Sequence, residues 1–413
     1  MLSLSVFSVV SVVKFFSNTT VGDSMDEIPV VVPLAEKPGK EAVKAPPAGR
    51  KFPCPSCGAR LDYNPAVRGL NCPYCGHEEK IVAATTAEIL EHDYLEYLDK
   101  EEAKGKILPG HGSETKCPGC GAVVLLDDKL ATERCPFCDT HLETDRPKDA
   151  VPMIPPESVA PFSIDLRTAR DEFTAWLASL WFAPTELKSA AALGKFTGVY
   201  LPYWTYDAMT YTNYEGERGD DYTDTEYYTV TNSDGRSERR SRTVVRTNWT
   251  DVSGQVDTFF DDVLIPASKS LTDERLAGLG GWKLSRLAPF DAAYLAGFQT
   301  ERYAVGLKDG LKSAKGIMDR GIVALVRQDI GGDHQRIRDK RTRYSGITFK
   351  LLLLPAWIAV YRYRGDVYQI TVNGQTGTVS GRRPYSWSKI AGVVLAVLLV
   401  VALLIVGILL IRG

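Results

Sequence analysis

Hydrophobic and polar positions change period several times along the chain, and each change predicts an element. Residues 86–104 put Ile89, Leu90, Tyr94 and Leu98 at helical spacing, a short amphipathic helix ended by Gly105, Pro109 and Gly110. Residues 166–182 set Leu166, Phe173, Trp176, Leu177 and Leu180 on one helical face. Residues 301–328 do the same with Leu307, Leu311, Ile317, Met318, Ile322 and Leu325. Between them, residues 227–231 and 242–247 are β-prone runs joined through Asp234 and Gly235, a hairpin signal. Residues 367–372 and 378–380, flanking Asn373-Gly374 and Thr376-Gly377, predict another strand–turn–strand unit. Residues 351–360 include a proline, are too few to cross a bilayer, and read as a core strand. Helices and antiparallel strands come in blocks, so the fold class expected is α+β.

The last pattern is apolar on every side. The run that opens at Ile390 and closes at Ile411 holds 22 residues without a charge, about 33 Å of helix against a hydrocarbon core of about 30 Å. A buried core helix is rarely apolar all round for so long. Arg382, Arg383 and Lys389 precede it and Arg412 follows it, so the excess of positive charge predicts that residues 1–389 face the cytoplasm. The expectation is a single-pass tail anchor in the cytoplasmic membrane. At the other end, residues 1–13 are apolar or Ser and are followed by Lys14, the reverse of the charge order in a secretion signal. Met25, opening MDEIPVVVP, reads as a better start.

The domain organisation expected is a disordered tail at 1–50, rich in Pro, Lys, Glu and Ala from residue 26, then a small cysteine-bearing ribbon at 51–80. A helical linker at 81–115, a second ribbon at 116–144 and a Pro-rich linker at 145–161 come next. The α+β domain occupies 162–381, and a basic flank with the membrane helix occupies 382–413. One further echo is L-P-x-W, at Leu201-Pro202-Tyr203-Trp204 and again 153 positions later at Leu354-Pro355-Ala356-Trp357. It marks either two related half-domains or chance.

Composition adds the chemistry. The 413 residues are 44% hydrophobic and 24% charged, with a formal charge of −2 that excludes a global pull toward nucleic acid. All eight cysteines lie between residues 54 and 138, each in a C-x-x-C pair. Cys54, Cys57, Cys72 and Cys75 are spaced C-x2-C-x14-C-x2-C; Cys117, Cys120, Cys135 and Cys138 repeat that spacing 63 residues on. The flanking letters repeat too, CPSCGA against CPGCGA and CPYC against CPFC, which marks an internal duplication. Zn²⁺ takes four thiolates at tetrahedral corners, and four Cys close its shell, so two structural Zn²⁺ ions are expected rather than catalytic ones. Gly58, Gly76 and Gly121 follow the second Cys of their knuckles, where a positive φ aims backbone N–H groups at sulfur; Asp139 fills that place in the fourth. His77 and His141 lie nearby but are not needed as ligands. Units of about thirty residues cannot build a core, so their folding should be coupled to metal.

Ribbons bind proteins or nucleic acids. Lys51, Arg60, Arg68 and Lys80 in the first, and Lys116, Lys129 and Arg134 against Asp127, Asp128 and Glu133 in the second, form no dense basic stripe, which favours protein contact. No hydrolase or dinucleotide motif is present, and the nearest approach to a P-loop, residues 306–313 (GLKDGLKS), has its second Gly misplaced. Asp333-His334 reads as a polar turn before it reads as an acid–base pair, and Arg336, Arg338, Lys340, Arg341 and Arg343 as a solvated face before a lipid contact. Trp176, Trp181, Trp204, Trp249, Trp282 and Trp357 are assigned to the core.

These motifs, together with GVYLPYWTYDA at 198–208, GERG at 216–219, FDDVLIPASKSL at 260–271, YLAGFQTERY at 294–303, GGDHQRI at 331–337 and VNGQTGTVSGRRPYSWSKI at 372–390, carry a resemblance. The chain resembles, from about residue 51 onward, bacterial membrane-anchored double zinc-ribbon proteins of unknown function. Members are often labelled primosomal, helicase-like or transcription-factor-type ribbons, and some look like membrane partners of phage-shock and flotillin-like scaffolds. The resemblance implies a role in assembling protein at the envelope and supplies no catalytic residues. The function expected is a membrane-anchored zinc adaptor that recruits cytoplasmic or membrane scaffold proteins. The alternatives are a membrane-tethered nucleic-acid-binding protein and an enzyme seated in 162–381.

Overall fold

The computed structural model describes residues 52–81, 89–100, 113–126, 134–142, 148–149, 153–184, 195–231, 233–363, 366–382 and 385–412. The expected tail at 1–50, together with Lys51, Asp127, Asp128, Lys129, Glu133 and Arg383, lies outside them. The strands are β1 (Asp62–Asn64), β2 (Gly69–Asn71), β3 (Glu78–Lys80), β4 (His92–Asp93), β5 (Ser113–Lys116), β6 (Val123–Leu126), β7 (Lys148–Asp149) and β8 (Ser158–Val159). They continue with β9 (Lys195–Thr231), β10 (Ser237–Pro266), β11 (Ala288–Pro289), β12 (Gln299–Glu301), β13 (His334–Tyr363), β14 (Asp366–Asn373) and β15 (Val379–Gly381). The helices are α1 (Tyr94–Lys100), α2 (Leu166–Ser179), α3 (Asp273–Gly278), α4 (Leu307–Ile330) and α5 (Trp387–Arg412). The fold is α+β.

Three strands dominate. β9, β10 and β13 run 37, 30 and 30 residues, far beyond the short hairpin that Asp234-Gly235 predicts, although Gly235 does turn the chain with φ +74°. Their Thr, Tyr and Val content suits a pleated surface. Strands this long take different partners along their length. β13 lies against β9 from His334 opposite Gly219 to Val360 opposite Lys195. Its other edge meets β4 at Thr348–Phe349, β8 at Leu352–Leu353 and β14 at residues 356–363. Beyond Gly219 only β9 and β10 continue, a two-stranded arm of roughly 40 Å.

The two L-P-x-W motifs sit in adjacent antiparallel strands, with Leu201 opposite Leu354 and Pro202 opposite Leu353. Their surroundings repeat. Trp204 Nε1 donates to the Val305 carbonyl, two residues before α4, and Trp357 Nε1 donates to the Ile164 carbonyl, two residues before α2. Ala267 N–H donates to Pro202 and Gly374 N–H to Pro355; the Ala267 carbonyl then accepts from Ala304 and Val305, and the Gly374 carbonyl from Ser163 and Ile164. Strand β12 runs parallel to β9 as β8 runs parallel to β13. The domain is therefore two related halves, β8-α2-β9-β10 and β12-α4-β13-β14, each lending its short strand and helix to the long strand of the other.

Alternation along β9 divides the core. Trp204, Tyr206, Ala208 and Tyr214 face α4, whose Leu307, Leu311, Ala314, Met318, Ile322, Val326 and Ile330 form its buried stripe. Ile317, expected on that stripe, is exposed. Residues 306–313 are the start of α4: a β-carbon on Gly310 would collide with the Tyr206 hydroxyl, which donates to Leu307 O at 2.7 Å. Packing, not phosphate, accounts for that glycine. Val199, Leu201 and Tyr203 face the opposite layer. The Pro-rich stretch is extended where described, but β8 and the buried Met153, Val159 and Ala160 make part of it core. In 86–104, only Tyr94–Lys100 of the described residues is helical. Of the tryptophans assigned to the core, Trp204 and Trp357 are buried, whereas Trp181 is 74% exposed. The α5 helix is long and apolar enough to cross a membrane, and none of its apolar window is buried against the described residues.

Candidate metal centres

Both cysteine sets close on a point. In the first, the Cys54–Cys75 and Cys57–Cys72 sulfurs are 3.5 and 3.6 Å apart; in the second, Cys117–Cys138 and Cys120–Cys135 are 3.4 and 3.6 Å apart. Within each set all four sulfurs lie within 4.8 Å of one another. A tetrathiolate zinc with bonds of about 2.3 Å has tetrahedral edges of about 3.8 Å. A disulfide would need about 2.05 Å, so the thiols are unbonded. The donor set and spacing fit Zn²⁺.

All four knuckles share one backbone solution. The N–H groups of Gly58, Gly76, Gly121 and Asp139 donate to the carbonyls of Cys54, Cys72, Cys117 and Cys135 at 2.8–3.0 Å. The four residues take φ of +74°, +73°, +77° and +61°, as their places in the sequence predict. Asp139 is the costly one, and Arg134 Nη1 clasps it by donating to its carboxylate at 3.1 Å and its carbonyl at 3.2 Å. Backbone N–H groups, first that of Cys75, hold the Cys72 thiol down to about 6 against its burial. In the second set, the Cys135 thiol leads in pulling Cys120 down to about 5, while Cys135 is pushed up. Four sulfurs this close share protons poorly, which a divalent cation relieves. The histidines are engaged elsewhere: His77 Nδ1 lies 3.3 Å from Ser56 Oγ, and His141 Nδ1 donates to Leu142 O at 2.9 Å.

The duplicated centres sit in different surroundings. The second is part of the body: β5 and β6 join the main sheet through β12, and Cys117, Cys135 and Phe137 pack with Leu201, Leu276 and Leu354. The first keeps its own three-stranded sheet and buries only one side, Leu61, Tyr63 and Leu70, in the layer around Phe298 and Trp357. Its Cys57 and Cys75 are exposed. Tyr74 and Phe137 are counterparts, 63 positions apart, yet Tyr74 is 82% exposed and Phe137 2%.

A third cluster escaped the sequence reading because its members are far apart in the chain. The carboxylates of Glu91, Asp207 and Asp262 come within 4.8 Å of one another. Two bulges build it, at Phe260/Val263 on β10 and Ser345/Thr348 on β13, on either side of Asp207. Asp262 takes φ +50° in the first and donates its N–H to Asp207 Oδ1 at 2.5 Å. Lys350 already stands where a cation would, 2.8 Å from Glu91 Oε1 and 2.7 Å from Asp262 Oδ1. The cluster is thus an ion network that carries its own cation.

Burial raises the Asp207 carboxyl to about 7, with Glu91 adding to the rise. Thr348 Oγ1 is 3.0 Å from Asp207 Oδ2 and 3.1 Å from Glu91 Oε2. The Thr348 hydroxyl hydrogen lies within reach of both carboxyls, and a protonated Asp207 is held by its hydrogen bond to Glu91. Between pH about 4 and about 7 the folded chain holds a proton that the unfolded chain releases. The stability from this group is full below about 4 and is lost as pH rises through about 7, by at most about 4 kcal/mol. Asp207→Asn should therefore show a smaller fall in thermal midpoint than the wild type between pH 5 and pH 8, read by circular dichroism in detergent.

Two remaining expectations meet the described residues. Asp333 and His334, expected as a polar turn, bond across to β9, Asp333 Oδ2 accepting from Asp221 N–H at 2.8 Å and His334 Nε2 lying 3.1 Å from Asp221 Oδ2. The arginines of β13 are largely neutralised, Arg336 and Arg338 by Glu217 and Asp251 together and Arg341 by Asp339. No family model matches the chain and no solved structure matches it. It is similar to an uncharacterised protein of Bacillus subtilis (strain 168), YdjG, with 25% identity over 345 residues, 82% of this chain and 92% of that one.

Proposed function

We propose that the protein is a non-catalytic, zinc-containing adaptor, anchored in the cytoplasmic membrane by α5, that recruits cytoplasmic or membrane scaffold proteins through its first ribbon. The observation that carries this is the contrast between Tyr74 and Phe137. The second knuckle pair is sealed into the body, while the first displays a tyrosine, two cysteines and an uncovered face. An exposed aromatic on a rigid metal-held knuckle loses little entropy on binding, which suits a protein contact. Nucleic acid is the poorer partner. The described residues of the first ribbon carry Arg60, Arg68 and Lys80 against Asp62, Glu78 and Glu79, and a tetrathiolate zinc adds a charge of −2.

The test is capture from mildly solubilised membranes with the full chain. Tyr74→Ala should keep its metal and its near-ultraviolet circular dichroism yet lose a stoichiometric protein partner that the wild type retains. A wild type that retains no partner, or a partner held equally by Tyr74→Ala and by Cys54→Ser/Cys57→Ser, would sink the reading. Salt-dependent retention of DNA or RNA in place of protein would favour the membrane-tethered nucleic-acid reading instead.

A further inference from the structure

Residues about two hundred positions apart meet at the foot of α5. Ser386 N–H donates to the Phe182 carbonyl at 2.8 Å. Lys389 Nζ donates to the Ala183 carbonyl at 2.7 Å and reaches the Trp181 carbonyl at 3.5 Å. The turn after α2 is thereby fixed to the first turn of the apolar helix. Trp181 stacks on Phe182 with ring centroids 5.6 Å apart and is 74% exposed. Across the foot, Trp387 is 80% and Tyr385 53% exposed. Of the seven tryptophans only Trp181 and Trp387 are exposed, and they converge on one place.

Exposed indoles are costly in water and favourable at the headgroup level of a bilayer, where the ring is half-solvated and its N–H can find an acceptor. Depth decides whether Trp181 can reach that level. Its turn is tied to Ser386 and Lys389, within one helical turn of Ile390, so it stands about 5 Å above the start of the apolar run. Each headgroup layer is about 5–7 Å thick. Lys389, with its ammonium satisfied by carbonyls of the body, locks the helix to the turn instead of drifting toward water.

We infer that Trp181 and Phe182, with Tyr385 and Trp387, form a second membrane contact that seats the soluble body in the headgroup layer of the bilayer crossed by α5. This rests on the reading of α5 as a membrane span. A helix alone would let the body swivel; two anchored points set its tilt, and with it the direction in which the first ribbon faces.

The experiment uses the full chain in phosphatidylcholine vesicles containing a share of lipid brominated near the headgroup. Trp181→Phe should lower the lipid-quenchable tryptophan emission by about half, one of two lipid-facing indoles having gone. The same substitution should leave the near-ultraviolet spectrum of the folded body in place, since the side chain is mostly exposed. If the protein stays with the vesicles after an alkaline wash and Trp181→Phe leaves the quenched emission unchanged, the seating is wrong while the membrane helix stands. If the wild type washes off the vesicles, the membrane span itself is wrong and the seating falls with it.

Discussion

Cys135→Ser is expected to unfold far more of the molecule than Cys57→Ser, although each removes one of four thiolates from a duplicated centre. Structural zinc in small domains contributes roughly 10–16 kcal/mol of apparent folding free energy at neutral pH, so either loss should release the ion and unfold its ribbon. How far the damage spreads depends on where the ribbon sits. Cys135 and Phe137 are 2% exposed and share a layer with Leu201, Leu276 and Leu354, near the start of β9 and toward the end of β13. Collapse there opens the core of the α+β domain. The first ribbon has its own sheet, and its loss uncovers one patch around Phe298 and Trp357. Metal analysis should find about one zinc per chain in each variant and two in the wild type. Limited proteolysis should then leave a resistant fragment spanning β9 to β14 in Cys57→Ser and none in Cys135→Ser. Equal fragments from both would refute the different roles of the two centres.

Lys350→Met is expected to destabilise the α+β domain through charge alone, at a site away from both ribbons. The Lys350 side chain is 7% exposed and its ammonium bridges Glu91 and Asp262, while Asp207 lies buried beside them. Removing it leaves two carboxylates of like charge about a bulge whose Asp262 already holds a positive φ. Breaking a fully buried pair costs about 3–5 kcal/mol; Glu91 and Asp262 are 38% and 27% exposed, and that access to water lowers the expected loss to about 2 kcal/mol. A fall of roughly 4 °C in thermal midpoint should result. Adding Asp262→Asn should recover part of it, because the repulsion is then removed. A single variant as stable as the wild type would show that the network contributes nothing.

The reach of the sequence differs from element to element. The knuckles were legible to the level of backbone dihedrals, because C-x-x-C followed by Gly or Asp is a local pattern whose geometry a tetrahedral ion dictates. The helices α2 and α4 were legible from period 3.6, and the reading failed at Ile317 only because position on a helix does not say how wide the buried stripe is. The lengths of β9 and β10 were not legible. Residues 211–226 are too polar to signal a strand, and they are held as one by backbone pairing to β10 and, as far as Gly219, to β13. The L-P-x-W echo was visible but undecidable, since four letters carry no topology. Its meaning lies in hydrogen bonds from each tryptophan to the loop before the other half's helix.

By itself, then, the sequence determined the two thiolate sets, the helical faces, the α+β class and an apolar segment of spanning length, all of them features whose cause lies within a few turns of chain. Only the tertiary structure decided that one ribbon is built into the sheet and the other turned outward, that Lys350 bridges two of three distant carboxylates, and that Trp181 stands beside the apolar helix instead of in the core. The physical reason is the same in each case. Burial, pairing and charge compensation depend on which residues meet, and in this fold the halves exchange their helices and strands over more than a hundred positions.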